Sequence, residues 1–141
     1  MHLTRILVFP ALVASLVACN MDDSSAGGTS SAKLEDTEWR LVSIAGDAIP
    51  EGVSATLTLD TESGRIAGNS GCNRYSGGYS LEGETLSTGM MISTKMACPG
   101  PAMEVETRFL KALSDIKAYS IDGDTLTIET ADGALTFQKQ Q

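Results

Sequence analysis

The sequence predicts an α+β fold with β dominant: a curled antiparallel sheet of short hairpins with one helix packed against it. Three observations carry this reading. Short runs of alternating apolar and polar residues are separated by glycine- and acid-rich turn signals. A strand, acidic-Gly, strand unit occurs twice. One stretch alone, beginning near Pro101, has helical periodicity. Strands, then a helix, then strands read as an antiparallel sheet with a helix covering an open side.

The first eighteen residues stand apart from that fold. His2 and Arg5 form a short basic region, Ile6 to Val17 is an apolar run interrupted by Pro10, and small Ala18 precedes Cys19. The run is too short to span a bilayer and has the proportions of a signal peptide. Leu16-Val17-Ala18-Cys19 resembles the bacterial lipobox, in which the cysteine is acylated and the chain is cleaved before it. Residues 1–18 are therefore expected to be a lipoprotein signal peptide and Cys19 the lipidation site. The chain's first partner would then be a membrane, reached through that anchor. Asn20 follows the cysteine where Asp would be the usual inner-membrane retention signal, so the expected location is the outer membrane, facing the periplasm.

Residues 19–32 hold almost no large apolar side chains and read as a flexible tether. The folded domain is expected over 33–141. Cleavage removes Arg5, so Lys+Arg falls from 10 to 9 against 18 Asp+Glu, and the formal charge moves from −8 to −9. So acidic a chain repels nucleic acid phosphates and anionic headgroups, which makes nucleic acid a poor partner. The only histidine, His2, leaves with the signal peptide. The mature chain then lacks the imidazole needed for Ser-His-Asp or Cys-His catalysis and for His-containing zinc sites.

Within the domain, Trp39 to Ile44 is the first strand and ends at Ala45-Gly46-Asp47. Ala55 to Asp60 alternates with period two and turns through Thr61 to Gly64 into Arg65–Gly68. Tyr79-Ser80-Leu81-Glu82-Gly83-Glu84-Thr85-Leu86 recurs as Tyr119-Ser120-Ile121-Asp122-Gly123-Asp124-Thr125-Leu126. Each copy reads as a hairpin whose glycine supplies a positive φ. Calcium ligation by Asp122, Asp124 and Glu129 is the other reading, and Asp-Gly turn chemistry explains them more simply. Between the copies, Pro101 suits a first helical turn. Ala102, Val105, Phe109, Ala112, Leu113 and Ile116 then share one helical face, opposite Glu104, Arg108, Lys111 and Asp115.

With Cys19 lipidated, Cys72 and Cys98 remain as a pair in an oxidising compartment. A structural disulfide is the expectation; a reduced buried pair and redox or metal chemistry are the alternatives. Trp39 reads as core. Met90, Met91 and Met96 suit core filling, or the lining of a soft apolar pocket.

Two segments around the cysteines carry a resemblance. Gly68-Asn69-Ser70-Gly71-Cys72-Asn73-Arg74-Tyr75-Ser76-Gly77-Gly78-Tyr79 is similar to the G-x-x-G-C-N-x-[FY]-x-G-x-Y signature of the META domain (HslJ-like) family. Ser93-Thr94-Lys95-Met96-Ala97-Cys98-Pro99 resembles its second box, S-T-[RK]-M-A-C. The resemblance runs from about Leu34 to Phe137 and departs at the Gly77-Gly78 pair. It implies a compact β-rich envelope domain associated with stress response and antibiotic tolerance, with no cofactor and no catalytic residues. Asn73 fits either a turn cap or a ligand contact. Asn73, Arg74, Tyr75 and Lys95 are the candidate recognition patch.

The expected function is that of a non-enzymatic envelope lipoprotein, supporting outer-membrane integrity or stress and antibiotic tolerance by binding an envelope protein or a small ligand. A periplasmic inhibitor or small-ligand carrier is the alternative, and would need an apolar cavity of about 300 Å³ or more. A thiol oxidoreductase using Cys72 and Cys98 is the third class.

Overall fold

The computed structural model describes residues 33–141. The expected signal peptide, the expected lipidation site Cys19 and the expected tether lie outside the described residues. Ten strands and one helix follow in the order β1 (Glu38–Ile44), β2 (Asp47–Ala48), β3 (Thr56–Asp60), β4 (Arg65–Asn69), β5 (Arg74–Glu82), β6 (Thr85–Thr88), β7 (Ile92–Ser93), α1 (Ala102–Leu113), β8 (Ile116–Asp122), β9 (Thr125–Thr130) and β10 (Gly133–Lys139). The expected strands and the expected helix are all present, and every pairing between named strands is antiparallel.

Strand order is β6-β5-β4-β3-β1-β10-β9-β8, with β2 added to β1 and β7 to β5. The sheet curls until its two ends, β6 and β8, lie side by side. Those ends belong to the two copies of the repeated hairpin. The Tyr119 hydroxyl of the second copy donates to Gly83 O in the turn of the first, at 3.2 Å, so the copies meet along the seam. Near closure of this kind leaves few unpaired strand edges.

The alternation in the sequence fills the interior. Trp39, Leu57, Leu59, Ile66, Leu126, Ile128, Leu135 and Phe137 are fully buried. Trp39 also donates its indole N–H to Leu34 O at 3.0 Å, which ties the start of the domain to the core. A register shift between Leu41 and Ser43 lets β1 keep Trp39, Leu41 and Ile44 all inward. The helix packs through Phe109, whose ring stands edge-on to Tyr75 and Phe137 at centroid distances of 5.5 and 6.2 Å.

Three expectations need correction. The helix ends at Leu113 rather than Ile116. The Ser114 N–H and hydroxyl turn back to helix carbonyls, and Ile116 pairs with Thr130 as the first residue of β8. Its spacing suited a helical face, but a partner strand decided its conformation. The two repeat turns are also placed one residue later than an Asp-Gly corner. Glu82 pairs with Thr85 and Asp122 with Thr125, so the corners are Gly83-Glu84 and Gly123-Asp124. Only the glycine has positive φ, +61° and +59°, which is the II′ pattern. Finally, Met90 and Met96 are 88% and 57% exposed, not core. Met91 alone packs inward, and its sulfur lies where a side chain on Gly77 would stand.

The hairpin glycines give a direct test. Neither would crowd a neighbour if given a Cβ, so the cost of substitution is conformational. Gly83→Val and Gly123→Val should each lose about 1–2 kcal/mol in denaturant unfolding. Glu82→Ala and Asp122→Ala, on exposed strand positions, should stay within about 0.5 kcal/mol. Equal losses from glycine and acid would contradict the turn assignment.

Candidate functional site

The two boxes that carry the family resemblance come together at the N-terminal half of α1. The turn from Asn69 to Arg74 links β4 to β5, and Ser70 N–H closes it on Asn73 O at 2.8 Å. The chain from Ser93 to Cys98 runs beside it. Cys72 and Cys98 are joined by a disulfide across these segments, with Cα atoms 5.8 Å apart. Cys72 is buried and Cys98 half-buried.

Asn73 is the second tie. Its Oδ1 accepts from Met96 N–H at 2.7 Å and from the Thr94 hydroxyl at 2.9 Å. Its Nδ2 donates to Met96 O at 3.1 Å and to Glu106 Oε1 at 2.8 Å. The side chain thus offers Met96 a donor and an acceptor, as a neighbouring strand would, and extends the β5–β7 pairing. Every hydrogen-bonding position of this amide is occupied.

Glu106 is the third tie; the sequence marks it as an acid near the positive end of the helix, not as a site residue. Only 8% exposed, it reaches from the helix into the turn. Oε2 accepts from Asn73 N–H at 2.7 Å and lies 2.7 Å from Ser70 Oγ, whose single proton goes to this charged acceptor. Burial by itself pushes the Glu106 carboxyl up. Hydrogen bonds from Ser70, the Asn73 side chain and the Asn73 and Cys72 backbone outweigh it, and the pKa falls below 4.5. A signal was there to read. Glu106 is four residues after Ala102 and three before Phe109, so it lies in the apolar stripe, where an acid needs a partner.

The candidate recognition residues divide into two pairs. Asn73 and Tyr75 are buried, whereas Arg74 and Lys95 are exposed. The Tyr75 hydroxyl donates to Thr56 O at 2.8 Å, and burial holds its pKa well above the ordinary phenol value. Arg74 lines an open depression of about 270 Å³ with Tyr75, Ser76, Ile92, Ser93 and Thr94. Lys95 lines an adjoining groove of about 440 Å³ between the Ser93–Ala97 segment and α1, walled by Met96, Met103 and Leu110. Asn73 and Glu106 form the groove's floor, facing each other.

Of the acids considered as calcium ligands, Asp122 and Glu129 are paired strand residues and Asp124 stands at a hairpin corner. Asp60 Oδ1 accepts from the Ser63 and Glu62 amides of its own turn, which holds its carboxyl below the usual value.

A family model described as META domain matches residues 32–141. A protein from Burkholderia xenovorans, solved by NMR, is 34% identical over 77% of this chain and 84% of its own, with a TM-score of 0.66. A second NMR structure shares the fold, at 23% identity and a TM-score of 0.62 over 74% of this chain and 90% of its own. Among curated proteins, none matches the chain.

Proposed function

The chain belongs to the META domain family, and on that premise we propose that it is a non-enzymatic envelope lipoprotein that supports outer-membrane integrity under stress by binding. The observation that carries the reading is the Leu16-Val17-Ala18-Cys19 box, set one short polar segment ahead of the family domain. A domain held at a membrane by acyl chains acts where it is anchored.

The chemistry of the junction supports a binding rather than a catalytic role. Among the described residues the one buried carboxylate, Glu106, accepts from Ser70 and Asn73, the Asn73 amide is fully engaged, and no histidine follows His2 in the sequence. The interior is filled by Trp39, Phe109, Phe137 and their aliphatic neighbours, which favours a scaffold that presents its surface over a carrier with an internal ligand. A bridge with one buried sulfur suits structural use better than thiol exchange.

Mass spectrometry of the protein extracted from membranes should find acyl chains on Cys19, and Cys19→Ala should accumulate without them. An unmodified Cys19 in the membrane-extracted protein ends the lipoprotein reading. In cells lacking the protein, leakage of a periplasmic enzyme on heating should be corrected by the wild-type chain and not by Cys19→Ala. Equal correction by both would separate the function from the anchor.

A further inference from the structure

The acidic residues of this chain are unevenly placed. Ser63–Leu81 and Thr85–Met103 contain no Asp or Glu, but hold Arg65, Arg74 and Lys95. The fold brings these two stretches together: β4 pairs with β5, and β7 with β5. Arg65 donates through Nε to Ser76 Oγ at 2.9 Å, and Ser76 shares the 270 Å³ depression with Arg74 and Ile92. Ser93 lines both that depression and the neighbouring groove, where Lys95 lies with Met96 and Met103. Among the described residues, the ion pairs are made by Arg108, Lys111 and Lys117, not by these three cations.

The same segment carries the exposed apolar side chains. Met90 is 88% exposed, Ile92 61%, Met96 57% and Met103 37%; among the described residues, Val42 is the one exposed large hydrophobic that lies elsewhere. Flexible thioethers on an otherwise acidic domain mark a contact surface. Four acids bound the face: Asp60, paired with Arg65 across β3 and β4, Glu38, across a depression from Arg74, Glu104, beside Met103 in the chain, and the buried Glu106, whose carboxylate is taken up by Ser70 and Asn73.

We propose that this basic, methionine-rich face docks the domain onto a bilayer bearing anionic headgroups. Arg65, Arg74 and Lys95 would meet the headgroups, and Met90, Ile92 and Met96 would enter the interfacial layer. The proposal rests on the lipid-anchor reading of Cys19. From Cys19 to the domain the chain reaches at most roughly 50 Å fully extended, so an anchored domain stays within reach of its own membrane. The net negative charge does not oppose docking by this face. At about 0.15 M salt the screening length is about 8 Å, so acids on the far side of the domain contribute little to the field at this face. A second copy fits less well, because a basic face meeting another molecule's acidic side makes a head-to-tail contact that does not close on itself.

The test uses the acylated mature protein in vesicles of phosphatidylcholine, with or without phosphatidylglycerol. Methionine oxidation by peroxide is followed residue by residue. Met90 and Met96 should oxidise several-fold more slowly in the phosphatidylglycerol vesicles, while Met91, packed on the core, changes little. High salt, or Arg74→Glu with Lys95→Glu, should abolish the difference. Equal oxidation of Met90 and Met96 in both vesicles overturns the proposal, as does protection that follows protein density instead of lipid charge, which would indicate a second copy. Flotation with the vesicles reports anchoring separately. A chain that fails to float defeats the anchor reading alone. Docking is then read by adding it to excess vesicles: phosphatidylglycerol-specific protection still supports it, and none overturns it.

Discussion

Replacing Glu106 with Ala should destabilise the domain by about 3–5 kcal/mol, read by denaturant unfolding at neutral pH. The loss comes from the donors left behind. The Asn73 amide and Nδ2 and the Ser70 hydroxyl all direct hydrogen bonds at this carboxylate in a buried place that offers them no substitute. Each buried donor without an acceptor costs about 1–3 kcal/mol. Glu106→Gln keeps the shape but removes the charge and turns an amide group towards at least one donor, so it should fall between wild type and Glu106→Ala. The two proteins should also differ in acid. Because the folded pKa lies below 4.5, the unfolded chain takes up the proton first as pH falls. The stabilisation from the charged form is complete above about pH 4.5 and drains away as pH drops through the folded pKa. The gap between wild type and Glu106→Gln should therefore narrow in acid. A gap that stays constant with pH would show that the charge is not what holds the turn.

Opening the Cys72–Cys98 bridge should cost about 3.5 kcal/mol on the chain-entropy estimate for cysteines 26 residues apart. For a domain of this size that lowers Tm on the order of 10–20 °C. Fold and secondary structure should persist in the reduced protein, because Asn73 still binds Met96 through backbone N–H and C=O, and Glu106 still holds the turn. A protein shown by mass to be reduced but melting at the oxidised temperature would contradict this. Glu106→Gln combined with Cys72→Ala and Cys98→Ala should not be additive, since bridge and carboxylate secure the same junction.

Much of the sheet was legible because its signals are local. The alternation in Thr56–Asp60, the turn at Thr61–Gly64 and the positive-φ glycines of the repeated hairpins each depend on a few consecutive residues. The helix showed through its apolar stripe, and only its end was misplaced, where Ile116 satisfied both periodicities until β9 gave it a partner. The exposed methionines could not be placed, since composition suits Met to core and surface alike. Among the site residues, the cysteine pair stood out as the two cysteines within the family domain. Arg74 and Lys95 could not be told apart from Asn73 and Tyr75 by residue type alone.

By itself, the sequence determined the class of fold, the positive-φ glycines of the repeated hairpins, the helix up to its last turn and the two boxes that place the chain in its family. Only the tertiary structure decided that the curled sheet nearly closes where the two repeat copies meet, that Glu106 binds a turn more than thirty residues earlier in the chain, and that the two acid-free stretches, with their cations and exposed methionines, lie side by side. The physical reason is range. A turn or a strand alternation is settled by neighbours a few bonds away. A buried carboxylate and its donors find each other only after the chain has collapsed, and which side chains remain exposed is decided by what the core has already filled.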